Sequence, residues 1–312
     1  MELVVVLGYP AAGKSSWTAQ HLPAHHRLNR DTEGGRLDDL LPPLSAALSA
    51  GRDVVLDNTY ATRAARAPLL ALAKQHGARA RCVWIDASIE DAQVNAVTRM
   101  VRAHGKLPTP AEIKTLAKRD PGVYGPGALF AYRKAFEPPT PAEGFDAVER
   151  VAFRRAPYGP AHTQKALLLD YDGTLRRTRS GAKYPTHPDD IEVLPGRAAV
   201  LQRYLDAGYR LFGVSNQSGV SKGELSEEDA RQCFARTNAL LGHDIEVAFC
   251  PHNPAPIACW CRKPMPGLAV DFIERHKLDP AQTVMVGDMT TDRTFATRAG
   301  IVYRDVSEVF PG

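Results

Sequence analysis

The sequence predicts an α/β fold of two doubly wound parallel-sheet domains in tandem. A length of 312 residues corresponds to about two domains. The apolar runs LVVVL (3–7), DVVLD (53–57) and RCVWID (81–86) alternate with helix-prone stretches, the order expected of parallel strands joined by helical crossovers. The pattern restarts with ALLLD (166–170), YRLFGVSN (209–216) and TVMVGD (283–288). Between the two halves, the Pro/Gly-containing stretch 156–164 reads as a break, giving domains at 1–156 and 165–312 with 157–164 as linker.

Composition narrows the class. A hydrophobic fraction of 44% is enough for two packed cores, and the five-residue apolar run at the start is too short for a secretory or membrane-spanning segment. A cytoplasmic protein with no membrane partner is the expectation. The net charge of +4 is uneven, with 21 Lys and Arg against 16 Asp and Glu in residues 1–164. A basic half favours a polyanionic partner, and a solvated arginine-rich face accounts for it equally well. Three of the five cysteines crowd around His252, a spacing that suits metal ligation better than a disulfide framework.

In the first domain, Gly8 to Ser15 (GYPAAGKS) fits GxxxxGK[ST] between a strand and a helix. Such a loop points backbone N–H groups, from Gly8 through Gly13, at phosphate oxygens. Lys14 neutralises the β/γ charge, Ser15 is placed to ligate Mg²⁺, and Ser16 follows at the helix start. Asp31 in LNRD could take the proton of an attacking hydroxyl, or could cap the next helix. Over residues 90–102, helical periodicity places Val94, Val97 and Val101 on one face and Arg99 and Arg102 on another.

GYPAAGKSS, LNRD, DNTYATRAAR (57–66) and AYRKAFEPPTPAEGFDAVERVAFR (131–154) together resemble the kinase domain of polynucleotide kinase-phosphatases. The resemblance implies ATP as phosphate donor and Asp31 as general base toward a 5′-hydroxyl. It also places Asp57, Asn58 and Thr59 in the phosphate and acceptor pocket. Arg99 and Arg102 would clamp the ATP phosphates, and Arg36 would contact the substrate.

In the second domain, DYDGT (170–174), VSNQSG, CRKPMPG and VGDMTTD resemble, in order, the motifs of the haloacid-dehalogenase phosphatase superfamily. Asp170 would attack phosphorus, while Asp172 would protonate the leaving oxygen and then activate water. Ser215 would hold a phosphate oxygen, with Asn216 beside it in the substrate pocket, and Lys263 would neutralise charge. Asp170, Asp172 and Asp288 would hold Mg²⁺, supported by Asp292. Cys250, His252, Cys259 and Cys261 offer three thiolates and an imidazole, a set suited to structural Zn²⁺. CPHNPAPIACWCRKPMPG resembles the zinc loop of the heptose-bisphosphate and histidinol-phosphate phosphatase branch. Zinc on loop 250–261 would steady Arg262 and Lys263 at the active site. Cys82 reads as a core residue.

Only about twenty residues separate Thr174 from the leucine-rich segment at Leu194, too few for a large cap. The fold expected is therefore a P-loop kinase followed by an uncapped HAD-like phosphatase. The expected function is 5′-kinase and 3′-phosphatase action on DNA or RNA ends, with a ligase acting downstream. The alternative is a small-metabolite kinase fused to a sugar-phosphate or histidinol-phosphate-like phosphatase.

Overall fold

The structure is a computed structural model describing residues 1–311. It divides into two compact units, Met1–Ala96 with Gly127–Ala156, and Val97–Pro126 with Pro157–Gly312. Residues 97–126, expected with the first domain, thus cluster with the second.

The first unit holds a five-stranded sheet of β1 (Glu2–Leu7), β2 (His26–Leu28), β3 (Val54–Asp57), β4 (Arg79–Asp86) and β5 (Ala147–Ala152), in the order β2-β3-β1-β4-β5. Every pairing is parallel. The strands are apolar on both faces because helices cover both. In β1, Leu3, Val5 and Leu7 enter one cluster with Leu44, Leu56 and Leu69, while Val4 and Val6 enter another with Val55, Val83 and Ile85. Cys82 is fully buried in the first of these. β2 carries no sequence run of its own, being three residues long.

The second unit repeats the design with β6 (Gln164–Leu169), β9 (Tyr209–Asn216), β10 (Glu246–Cys250), β11 (Leu278–Gly287) and β12 (Val302–Asp305), in the order β10-β9-β6-β11-β12. All four pairings are parallel. Leu167 and Leu169 of β6 face one cluster and Ala166 and Leu168 the other. The short antiparallel pair β7 (Arg176–Thr178) and β8 (Ile191–Val193) fills the space between the DYDGT segment and the helix Arg197–Asp206. No cap domain is inserted there. The stretch 157–164 is more than a linker: Tyr158 packs on the second unit's core, and its ring lies 4.9 Å from that of His162. No helix among the described residues is long and apolar enough to cross a membrane.

Candidate active sites

The loop after β1 adopts the conformation that its glycines permit. Gly8 has φ +146°, and a Cβ there would lie 2.7 Å from the Ile85 carbonyl; Gly13, at φ +83°, caps the helix Lys14–His21. Lys14 is buried, its Nζ donating to the carbonyls of Gly8 (3.0 Å) and Tyr9 (2.7 Å). The ammonium is thereby held inside the loop whose phosphates it is expected to neutralise. Ser15 and Ser16 are exposed on the first turn of the helix. Asn95 Nδ2 donates to the Ala11 carbonyl at 3.0 Å, fastening the outer side of the loop. The motif gives no sign of this residue, because it arrives from the helix Ile89–His104.

Asp31 is exposed in the short helix Arg30–Glu33, where its carboxylate meets the neighbouring Arg30 guanidinium at 3.1 Å. It is not the cap: Asn29 Oδ1 accepts the Asp31 N–H. Asp57 turns inward, and its carboxylate takes Nε and Nη2 of Arg27 at 3.1 and 2.7 Å and Nδ2 of Asn29 at 2.6 Å. Asn58 Oδ1 accepts the Arg30 N–H at 2.9 Å. Asp57 and Asn58 therefore hold the segment that presents Asp31; Asp57, expected to help shape the phosphate and acceptor pocket, is buried behind that segment. Thr59 is half-buried beside them, and Arg36 is exposed with its backbone N–H on Asp39.

The arginines expected at the ATP phosphates have other partners. Arg102 makes a bidentate pair with Glu274, both bonds 2.9 Å. Arg99 donates to the Gly122 carbonyl at 2.8 Å and lies 5.7 Å from the Tyr124 ring centroid. The periodicity itself holds, with Val94, Val97 and Val101 buried and both arginines exposed. Periodicity gives the outward direction of these arginines but not what stands opposite.

In the second unit, the carboxyl ends of β6, β9 and β11 bring four motifs together, as expected of a parallel sheet. Lys263 Nζ lies 2.5 Å from Asp170 Oδ1 and 2.7 Å from Asp292 Oδ1, and donates to the Val214 carbonyl at 2.8 Å. Burial alone would lower the lysine, but the two carboxylates outweigh it and hold the ammonium above its ordinary value. Burial pushes the Asp170 carboxyl up to about 7, against the pull of Lys263. Asn216 clamps the lysine segment, its Nδ2 on the Lys263 carbonyl and its Oδ1 taking the Lys263 N–H, each at 3.0 Å. Its amide is thus committed to placing Lys263.

Carboxylate oxygens of Asp170, Asp288 and Asp292 lie within 4.8 Å of one another. Three carboxylates against one ammonium leave two negative charges on hard oxygen ligands, the complement of Mg²⁺. Asp172 stands outside this group, contrary to expectation, because Arg176 Nε takes its Oδ1 at 2.7 Å and Gln217 Nε2 its Oδ2 at 3.0 Å. Gln217 Nε2 also reaches Ser215 Oγ at 2.9 Å. Arg176 and Gln217 are additions to the expected set.

Cys250, His252, Cys259 and Cys261 converge with all donor atoms within 4.8 Å. Cys250 and Cys259 sulfurs are 3.7 Å apart, and His252 Nδ1 lies 3.4 and 3.3 Å from the sulfurs of Cys250 and Cys261. Tetrahedral zinc with S and N bonds of about 2.3 and 2.0 Å requires separations of this size. Arg262 turns back to this loop, donating to the His252 carbonyl at 3.0 Å.

Comparison with known proteins also separates an N-terminal from a C-terminal part, although the first match runs on through residue 118, into the stretch that clusters with the second unit. Residues 3–118 match the family described as AAA domain, and residues 260–303 the family described as HAD-hydrolase-like. A probable D-glycero-D-manno-heptose-1,7-bisphosphate 7-phosphatase of Thermoplasma volcanium is 33% identical over 145 residues, covering 45% of this chain and 97% of that protein. The Haemophilus ducreyi D-glycero-beta-D-manno-heptose-1,7-bisphosphate 7-phosphatase is 35% identical over 148 residues, covering 44% and 80%. A chain from the structure of the Pnkp1/Rnl/Hen1 RNA repair complex aligns over 97% of this chain and 95% of its own, at 15% identity and a TM-score of 0.32; likeness of that size says nothing of substrate. Through its C-terminal half, behind a P-loop kinase-like domain, the chain belongs to the family of HAD-like phosphatases that includes the heptose-bisphosphate 7-phosphatases.

Proposed function

We propose that the chain phosphorylates 5′-hydroxyl ends of DNA or RNA with ATP and removes 3′-phosphates, leaving ends that a ligase can join. The observation that carries this reading is the pairing of opposite phosphoryl chemistries in one chain. A phosphate-adding loop is joined to a phosphate-removing site with no cap inserted between DYDGT and the helix Arg197–Asp206. Opposite reactions on one small metabolite would cancel, whereas on the two ends of a strand both are useful.

In the kinase reaction, the loop amides cradle the phosphates and Lys14 moves from the Gly8 and Tyr9 carbonyls onto the β/γ oxygens. Asp31, positioned by Asn29 and Asn58, accepts the proton of the attacking hydroxyl. In the phosphatase reaction, an Asp170 oxygen forms a bond to phosphorus as the ester bond breaks, and Asp172 gives its proton to the leaving oxygen. Water then attacks the phosphorus of the aspartyl phosphate while Asp172 takes its proton. Phosphate leaves and the Asp170 carboxylate is restored. Ser215 and Lys263 hold the transferring oxygens. Ser15 at one site, and Asp170, Asp288 and Asp292 at the other, would hold Mg²⁺, whose positive charge would let the anionic partners approach. Zn²⁺ in the Cys250, His252, Cys259 and Cys261 cluster is structural.

A second reading, sugar-phosphate hydrolysis, is favoured by the 33% and 35% identities to heptose-bisphosphate phosphatases. Incubation with labelled ATP and 5′-hydroxyl oligonucleotides, and with 3′-phosphorylated ones, separates the two. Label transfer and phosphate release support end processing; inert oligonucleotides beside rapid turnover of a sugar bisphosphate would sink it.

A further inference from the structure

Arg176 takes no part in the steps above, yet its side chain is only 1% exposed. Its Nε donates to Asp172 Oδ1 at 2.7 Å, and its Nη1 donates to the Cys233 carbonyl and to Thr237 Oγ1, each at 3.0 Å. The guanidinium carbon lies 5.3 Å from the Tyr171 ring centroid and 4.8 Å from that of Phe234. These rings meet edge to face with centroids 4.8 Å apart. A buried cation is costly unless its donors are satisfied. Here two aromatic faces, a carbonyl and a hydroxyl fix the guanidinium before it reaches any carboxylate, and the carboxylate it reaches is Asp172.

We infer that Arg176 is a positioning residue for phosphoryl transfer, aiming Asp172 at the leaving oxygen. With Gln217 on Oδ2, each oxygen of Asp172 meets a donor of fixed direction, so rotation of the carboxylate is restrained. A planar fork anchored at its far end supplies this; a lysine ammonium supplies the charge without the direction. The inference rests on the phosphatase reading. In the step concerned, the Asp170–phosphorus bond forms, the ester P–O bond breaks, and the proton on Asp172 passes to the departing oxygen. Misdirecting that proton hinders a basic leaving group more than an acidic one.

The test compares p-nitrophenyl phosphate with phenyl phosphate, whose phenolate is the more basic leaving group, in the full-length protein with Mg²⁺. In Arg176→Gln and Arg176→Lys, the ratio of kcat/KM for the nitrophenyl ester to that for the phenyl ester should rise by about tenfold, within the range that general acids contribute. Ile273→Ala removes fully buried core volume without touching Asp172, Arg176 or the anchors of Arg176; it should lower the melting temperature and leave the ratio within about twofold of native, well below the general-acid range. Should Arg176→Gln fail to fold, Arg176→Lys carries the comparison. An unchanged ratio in the folded Arg176 variants, with an active native enzyme, would overturn the positioning role alone. A native enzyme inert on both esters would overturn the phosphatase reading along with it.

Discussion

Gly213 shows how closely the phosphatase site is built into its sheet. A Cβ there would stand 2.5 Å from Tyr171 Cε2 and 3.0 Å from Val247 Cγ2. Tyr171 cannot yield, being fully buried with its hydroxyl donating to Asn238 Oδ1 at 2.7 Å. Gly213→Ala should therefore cost about 1–3 kcal/mol through overpacking. Since Tyr171 lies between Asp170 and Asp172, phosphatase activity should fall by about tenfold or more, in line with small misplacements of catalytic groups, while kinase activity stays near native. Thermal melts and parallel assays check both; equal loss of the two activities would contradict the account. At this scale the sequence points to side chains that the fold brings together wherever a motif dictates residue type at short spacing, as with Lys14 in its loop, Asp170 beside Lys263, and the cluster of Cys250, His252, Cys259 and Cys261. Partners that meet only in space, such as Arg27 with Asp57 or Asn95 with Ala11, leave no local pattern.

Among the elements, the loop 250–261 and the helix Arg63–Gln75 depend on different forces. Zinc bound to Cys250, His252, Cys259 and Cys261 would cross-link the loop, and chelation would then free the segment that presents Lys263. The purified protein should carry one zinc per chain by metal analysis. Cys259→Ser should lose that zinc and most phosphatase activity while keeping the kinase; full activity without zinc would refute a structural role. The helix is tied down instead by Arg66, whose side chain is fully buried and whose Nε and Nη2 reach Glu143 at 2.7 and 2.8 Å. Burial would raise Glu143, but the Arg66 hydrogen bonds and charge, with the Thr140 N–H, hold its carboxyl below the usual value. A depressed carboxyl contributes stability that is complete above the unfolded value of about 4.3 and is lost as pH falls through the folded value. The first unit should thus weaken below about pH 4. Glu143→Gln should flatten that dependence and cost about 3 kcal/mol near neutrality, since Arg66 is left buried and unpaired. Denaturant melts across pH test this, and an unaltered acid limb in the variant would exclude the pair as its cause. The strands with long apolar runs, β1, β3, β4, β6, β9 and β11, were legible in the sequence; the edge strands β2, β10 and β12, three to five residues long, were not.

At the scale of the whole molecule, the break in sequence at 156–164 does not coincide with the division of contacts. Residues 97–126 cluster with the second unit. Arg102 pairs with Glu274, 172 residues away, the Leu107 N–H donates to Asp271 Oδ1 at 2.7 Å, and Trp260 Nε1 donates to the Tyr124 carbonyl at 2.8 Å. Glycine and proline mark where a chain can turn, but contacts of such sequence separation carry no signal of that kind, so a boundary near 156 is the natural reading. Cutting there has a definite consequence. The fragment 157–312 would lose the Arg102 pair to Glu274 and the packing of Leu107 on its core, a loss of about 3 kcal/mol, the size of a core truncation. For a domain of this size that corresponds to a melting temperature roughly 10 °C below the matching transition of the intact protein. In the fragment 1–156, residues 105–126 would lose the partners named above and become the first site of limited proteolysis, while the same stretch resists cleavage in the full chain. If 157–312 melts with the intact protein and 1–156 is not cut in that stretch, the assignment of residues 97–126 to the second unit fails.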